Sequence, residues 1–229
     1  MKIDPNFVPA LVGEAIAVEI QLSQKLADGD ASTASQDIDR MDNVTLRAVN
    51  TNSNDSWAWS KRADALAWQR RRAEALTANA RARELSPDSA TFVAQQANFV
   101  LSDGRPSEAI VIAKRAIALD PESVQYSGAS SLLCEAGLLR GAYDDAAPAC
   151  ETAAGFGADW WSQLLLVALY AQRNEVEETA HARTALLKLR PGLTIAKLKV
   201  NISFNAPAYQ QLNEKYIQAG LRKAGIPDH

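Results

Sequence analysis

Apolar residues recur along this chain at three- and four-residue intervals, the spacing that gathers side chains on one face of an α-helix. Leu11, Ala15 and Val18 mark such a face near the start, and Val93, Ala97 and Val100 mark another in the middle. The pattern also matches itself at an offset of 34 residues. Ala63 falls on Ala97, Leu66 on Val100, Glu74 and Ala75 on Glu108 and Ala109, Arg81 and Ala82 on Arg115 and Ala116, and Leu85 and Pro87 on Leu119 and Pro121. Each period reads as two amphipathic helices. In the clearest one, residues 90–101 form the first helix, 102–106 turn the chain, and 107–119 form the second, closed by Asp120-Pro121. Small residues at Ala97, Ala109 and Ala116 let the paired backbones approach, while Val93, Val100 and Ile117 supply apolar area. Neither helix can bury its face alone, so the pattern requires stacked neighbours.

A helix pair every 34 residues is the period of the tetratricopeptide unit. The same grammar extends outward with lower fidelity, giving units at about residues 6–53, 54–87, 88–121, 124–158 and 159–191. The first has a long polar connection over residues 27–35, with Met41, Leu46 and Ala48 on its returning helix; the fourth replaces its closing proline with Gly155-Phe156-Gly157. Residues 192–207 read as a loop, and residues 208–224 as a last helix whose Tyr209, Leu212, Tyr216 and Leu221 cover the open end of the stack. The expectation is one all-α domain over residues 1–229: a right-handed superhelix, or solenoid, of tetratricopeptide-type hairpins with a C-terminal capping helix.

Composition narrows the function classes. A chain of 229 residues that is 47% hydrophobic and 22% charged can bury a continuous core. Its formal charge of −3 offers no general attraction to phosphate backbones, so no nucleic acid is expected as partner. Apolar runs such as residues 164–171 are far shorter than the ~20 residues of a spanning helix, so no membrane insertion is expected. The start lacks a secretory pattern, and Ile3-Asp4-Pro5 reads as the tail of a preceding repeat, which predicts that the chain is the C-terminal part of a longer protein. Cys134 and Cys150 are either two buried apolar thiols or a bridge between neighbouring helices, the bridge implying an oxidising compartment.

Asp4-Pro5-Asn6-Phe7, the 34-residue pair of central repeats, Asp159-Trp160-Trp161, Leu189-Arg190-Pro191-Gly192-Leu193-Thr194 and the closing Gly220-Leu221-Arg222-Lys223-Ala224-Gly225-Ile226-Pro227 together resemble the C-terminal tetratricopeptide region of bacterial signalling proteins. In that group the region follows an adenylate or guanylate cyclase domain or a winged-helix DNA-binding domain. The resemblance implies a protein-binding, regulatory module, cytoplasmic, or periplasmic if tethered to a membrane-anchored parent.

In stacked hairpins the first helices line a concave groove. The repeat frame projects Trp57, Asp64 and Trp68 onto it from the second unit, Asn98 from the third, Glu135 from the fourth, and Trp161 and Gln172 from the fifth. None of the seven is basic, which disfavours the carboxylate clamp that chaperone-tail receptors of this superfamily build from Lys and Arg. An apolar or basic protein segment fits better, with Trp57, Trp68 and Trp161 as anchors; the alternative is that these tryptophans pack between repeats. A second mode is self-association into a homodimer through a flat repeat surface. Lys61, Arg62, Arg70, Arg71, Arg72, Arg81 and Arg83 crowd the second unit, either as a site for an acidic partner or as a solvated surface balanced by neighbouring carboxylates. Catalysis has little to draw on. His181 and His229 are the two histidines, and Gly155-Phe156-Gly157 lacks the Lys-Ser/Thr of a phosphate loop, so no enzymatic centre, cofactor or metal is expected.

Overall fold

The computed structural model describes residues 5–121, 125–155 and 159–229, and of residues 125–127 the backbone. Among the described residues five helix hairpins follow one another: α1 (Val8–Ala27) with α2 (Ala34–Thr51), α3 (Ser56–Trp68) with α4 (Arg72–Leu85), α5 (Ala90–Ser102) with α6 (Pro106–Leu119), α7 (Gln125–Leu139) with α8 (Tyr143–Gly155), and α9 (Trp160–Arg173) with α10 (Val176–Leu189). The described residues contain no strand. Helix starts are set locally. Asp55, Ser89 and Asp159 accept backbone N–H groups at the first turns of α3, α5 and α9, and Pro106 opens α6 where its missing N–H is not needed.

The turns inside the five hairpins repeat one geometry. Gly29, Arg70, Gly104, Gly141 and Asn174 each adopt positive φ, between 62° and 84°. The residue after each donates its N–H back to the closing helix: Asp30 to Lys25 O, Arg71 to Leu66 O, Arg105 to Val100 O, Ala142 to Gly137 O and Glu175 to Tyr170 O. This six-to-one bond closes a helix with a left-handed residue. Glycine adopts that conformation without cost and asparagine tolerates it, whereas Arg70 is held there against its steric preference.

Hairpins stack through small residues. Ala63, Ala75, Ala82, Ala97, Ala109 and Ala116 are all buried, and the largest core unites Leu138, Leu139, Leu164, Leu165, Leu169 and Leu186. On α2, Met41 and Ala48 are buried but Leu46 is exposed, so it lies outside the core assigned to it by periodicity. Cys134 and Cys150 are fully buried and their Sγ atoms are joined, tying α7 to α8 with Cα atoms 4.7 Å apart. Ile3 and Asp4 of the N-terminal motif, and Phe156 and Gly157 of the Gly155-Phe156-Gly157 motif, lie outside the described residues.

The segment after α10 departs from the expected loop. Ile195–Asn201 form helix α11, capped by Thr194, which packs on α1 of the first hairpin. The chain then turns back through residues 202–206 into α12 (Pro207–Leu212), a widened π-helical stretch (Asn213–Gln218) and α13 (Ala219–Lys223). This closing helix lies on α7 and α9. Gly220 sits so close to α9 that a Cβ there would come within 2.7 Å of Ala168 O, and a Cβ on Gly104 would meet Ala208 at 2.7 Å. The C-terminal cap therefore covers the inner faces of the stack. Arg190 pairs with Asp28 at 2.7 Å, so the fifth hairpin reaches the first.

Candidate functional site

Because first helices face inward and the C-terminal segment crosses in front of them, the concave side becomes a partly open cavity of about 570 Å³. All five inner helices contribute: Glu19 and Ile20 from α1, Asp64 and Trp68 from α3, Asn98 and Phe99 from α5, Glu135 from α7, and Trp160 and Trp161 from α9. Ile202, Phe204 and Tyr209 of the returning chain complete the wall.

Of the residues projected onto the groove, Asp64, Trp68, Asn98, Glu135 and Trp161 line this one cavity. Trp57 does not. It stands 46% exposed at the start of α3 with its ring edge-on to Phe92 of the next repeat, centroids 5.2 Å apart, an inter-repeat contact. Gln172 donates to Tyr216 O at 2.7 Å and so lies against the closing helix. Glu19, Trp160, Phe204 and Tyr209 were not projected. Trp160 had a signal, since it adjoins Trp161, whereas Phe204 falls in the segment read as loop.

The N-terminal wall is a charge-sharing network. Lys61 Nζ lies 2.6 Å from Asp64 Oδ2 and 3.1 Å from Glu19 Oε2. Gln95 donates to Asp64 Oδ1 at 2.7 Å, and the Trp68 indole N–H approaches Glu19 Oε1 at 3.5 Å. Burial, reinforced by the neighbouring Asp64 carboxylate, raises the Glu19 pKa to about 7 despite Lys61. Burial pulls the Lys61 ammonium down, but Asp64 and Glu19 outweigh it and hold it above its usual range.

The C-terminal wall has no such balance. Glu135, 7% exposed, accepts a hydrogen bond from the Tyr209 hydroxyl on Oε1 and from Trp161 Nε1 on Oε2 at 3.1 Å. No lysine or arginine among the described residues forms an ion pair with it. Burial pushes its carboxyl up, and the two hydrogen bonds oppose that shift without cancelling it. Burial and the adjacent Glu135 likewise push the Tyr209 phenol well above its usual value.

The basic residues of the second unit are mostly engaged. Arg62 pairs with Asp42, Arg71 with Glu74, and Arg81 with Glu84. Arg70 donates to Ser203 O at 3.0 Å and lies over the Phe204 ring, while Arg72 donates to Phe204 O at 2.7 Å and pairs with Asp103. Two of them therefore fasten the returning chain. Phe204 in turn meets Trp68 edge-on at 5.4 Å, and Ala206 N–H donates to Ser102 O.

Among the described residues no group of three or more His, Cys, Asp or Glu is placed to hold a metal ion, and no helix is long and apolar enough to cross a membrane.

The fold is that of the tetratricopeptide solenoid. It is similar to PilW, a widely conserved type IV pilus biogenesis factor, at 17% identity over 90% of this chain and 94% of that one, TM-score 0.62. It is also similar to PilF of Pseudomonas aeruginosa, at 14% identity over 91% and 97% of the two chains, TM-score 0.56. YrrB, a tetratricopeptide protein with an unusual peptide-binding site, aligns at 18% identity over 79% and 95%, TM-score 0.54. Likeness at these identities is likeness of fold. No protein-family model and no curated protein matches the chain.

Proposed function

We propose that this chain is a binding module that receives a segment of a partner protein on its concave face, with a side chain of that segment entering the cavity between Trp68 and Trp161. The observation that carries this reading is the convergence of Asp64, Trp68, Asn98, Glu135 and Trp161, from four hairpins, on one partly open cavity. Its volume lies within the ~300–1,000 Å³ typical of ligand sites, and its aromatic walls are the kind of surface where interface energy concentrates. A peptide-binding site in YrrB supports the use of this fold for segment recognition. The module regulates a bacterial signalling protein by favouring one orientation of an attached output domain, by no more than the segment's differential affinity for the two states. The bond between Cys134 and Cys150 favours the periplasmic setting over the cytoplasmic one, since such bonds persist where thiols are not kept reduced.

Selection of a random peptide library on the immobilised chain tests the reading. Peptides recovered in this way bind with affinities that fall about tenfold or more when Trp68 and Trp161 are both changed to Ala, a loss expected of anchor residues. Equal binding to the native chain and the double variant contradicts it.

A further inference from the structure

We infer that the side chain this cavity accepts is a lysine or an arginine; this rests on the segment-binding reading above and names the chemistry of the partner. Three carboxylates face the space: Glu19, Asp64 and Glu135. Lys61 is shared by the first two, and Glu135 has hydrogen bonds but no cation among the described residues. The arginines in the lining do not supply one, because Arg72 is paired with Asp103 and Arg190 with Asp28. The balance is therefore short of positive charge where the wall is most buried, and an uncompensated buried carboxylate is costly.

The walls themselves accept guanidinium groups. Arg190 Cζ lies 4.8 Å from the Trp160 ring centre, and Arg70 Cζ lies 5.5 Å from that of Phe204. These distances are those of cation–π attraction, which strengthens as water is excluded. An incoming arginine or lysine would lay its aliphatic stem along the indoles and place its charged head by Glu135, where the two oxygens retain lone pairs beyond those used by Tyr209 and Trp161. A leucine or norleucine gains the same apolar contact but leaves Glu135 either unpaired or protonated. A glutamate adds a fourth carboxylate.

The test uses the full oxidised chain and four probes, Nα-acetyl-arginine amide, agmatine, Nα-acetyl-norleucine amide and Nα-acetyl-glutamate amide, titrated against tryptophan fluorescence. The arginine amide should bind about tenfold or more tighter than the norleucine amide, and the glutamate amide should show no binding. Glu135→Gln should erase most of that preference, because the arginine loses its carboxylate partner and norleucine no longer leaves a buried charge unpaired. Should Glu135→Gln fail to fold, the same preference in the native chain should shrink as salt rises from low to moderate ionic strength. Norleucine binding as well as arginine overturns the inference. So does a library-selected peptide that lacks Lys and Arg yet depends on Trp68 and Trp161, although the segment-binding reading then survives. Failure of every peptide to depend on those tryptophans removes that reading, and arginine preference among the probes is then the separate result. Agmatine binding as tightly as any selected peptide assigns the pocket to free amines and overturns the protein source.

Discussion

The two walls of the concave cavity solve the same problem differently. On the N-terminal wall Glu19 and Asp64 are brought into one buried site and share Lys61, which lies within 3.1 Å of both. On the C-terminal wall Glu135 is buried against α9 and the closing helix, where among the described residues its partners are the neutral donors of Tyr209 and Trp161. The first arrangement carries its own counter-ion and can serve as structure. The second is satisfied in hydrogen bonds but not in charge, and that difference points to Glu135 as the place where a ligand contributes something the protein lacks. It also shows why a buried acid alone says little about function: the neighbouring cation decides.

The strongest way to break the comparison is to remove the shared cation. Lys61→Met leaves two buried carboxylates side by side and should cost about 3–5 kcal/mol of stability at pH 8. Part of this should return at pH 5, where Glu19 takes up a proton. Denaturant unfolding at the two pH values checks it, and an unchanged midpoint would mean that Lys61 does not balance this wall.

Next in size is the pH dependence set by Glu19. Its folded pKa of about 7 lies above the unfolded value near 4.5, so the folded state binds more protons between these values. Native stability should therefore fall as pH rises from about 4.5 to about 7, by roughly 2–3 kcal/mol, and level off above. Lys61 and Asp64 face the group from α3 and oppose one another in this shift. Glu19→Gln keeps the site neutral and should flatten that part of the profile.

On the opposite wall, Tyr209→Phe deletes one of the two donors to Glu135 and should cost about 1–3 kcal/mol. The Trp161 indole N–H then remains as the single protein donor, so its NMR resonance should shift. Smallest is Arg70→Gly. Glycine relieves the left-handed backbone at φ 62°, while the bond to Ser203 O and the contact with Phe204 are lost. These effects oppose each other, and global stability should change by less than about 1 kcal/mol. Amide exchange at residues 202–206 should nonetheless quicken, because the returning chain has lost a fastening.

The solenoid was legible because its contacts are local and periodic. Ala63 and Ala97, or Leu66 and Val100, are matched positions of successive hairpins, and the 34-residue offset between them reports stacking directly. The inward placement of Asp64, Trp68, Asn98, Glu135 and Trp161 followed from the same frame. Glu19 escaped it because the first hairpin has a longer connection, which breaks the register with α3. The returning chain escaped it for a deeper reason. Ser203 O is held by Arg70, 133 positions earlier, and Tyr209 reaches Glu135 across 74 positions. No period encodes such pairings, and residues 192–207 are short of the long apolar repeat that would have announced α11. Trp57 shows the opposite failure: the frame placed it inward, but at the first turn of α3 its ring meets Phe92 instead.

The indole N–H resonances of Trp57, Trp59, Trp68 and Trp161 provide the most direct test, since they report different places on the molecule. Trp68 and Trp161 direct theirs to Glu19 and Glu135 on the two walls, Trp59 donates to Ser53 O away from the cavity, and Trp57 lies outside it. On titration with Nα-acetyl-arginine amide, the resonances of Trp68 and Trp161 should move together along one binding curve while those of Trp57 and Trp59 stay fixed. Movement of Trp57 or Trp59 with Trp68 and Trp161 unmoved would contradict a binding site on the concave face.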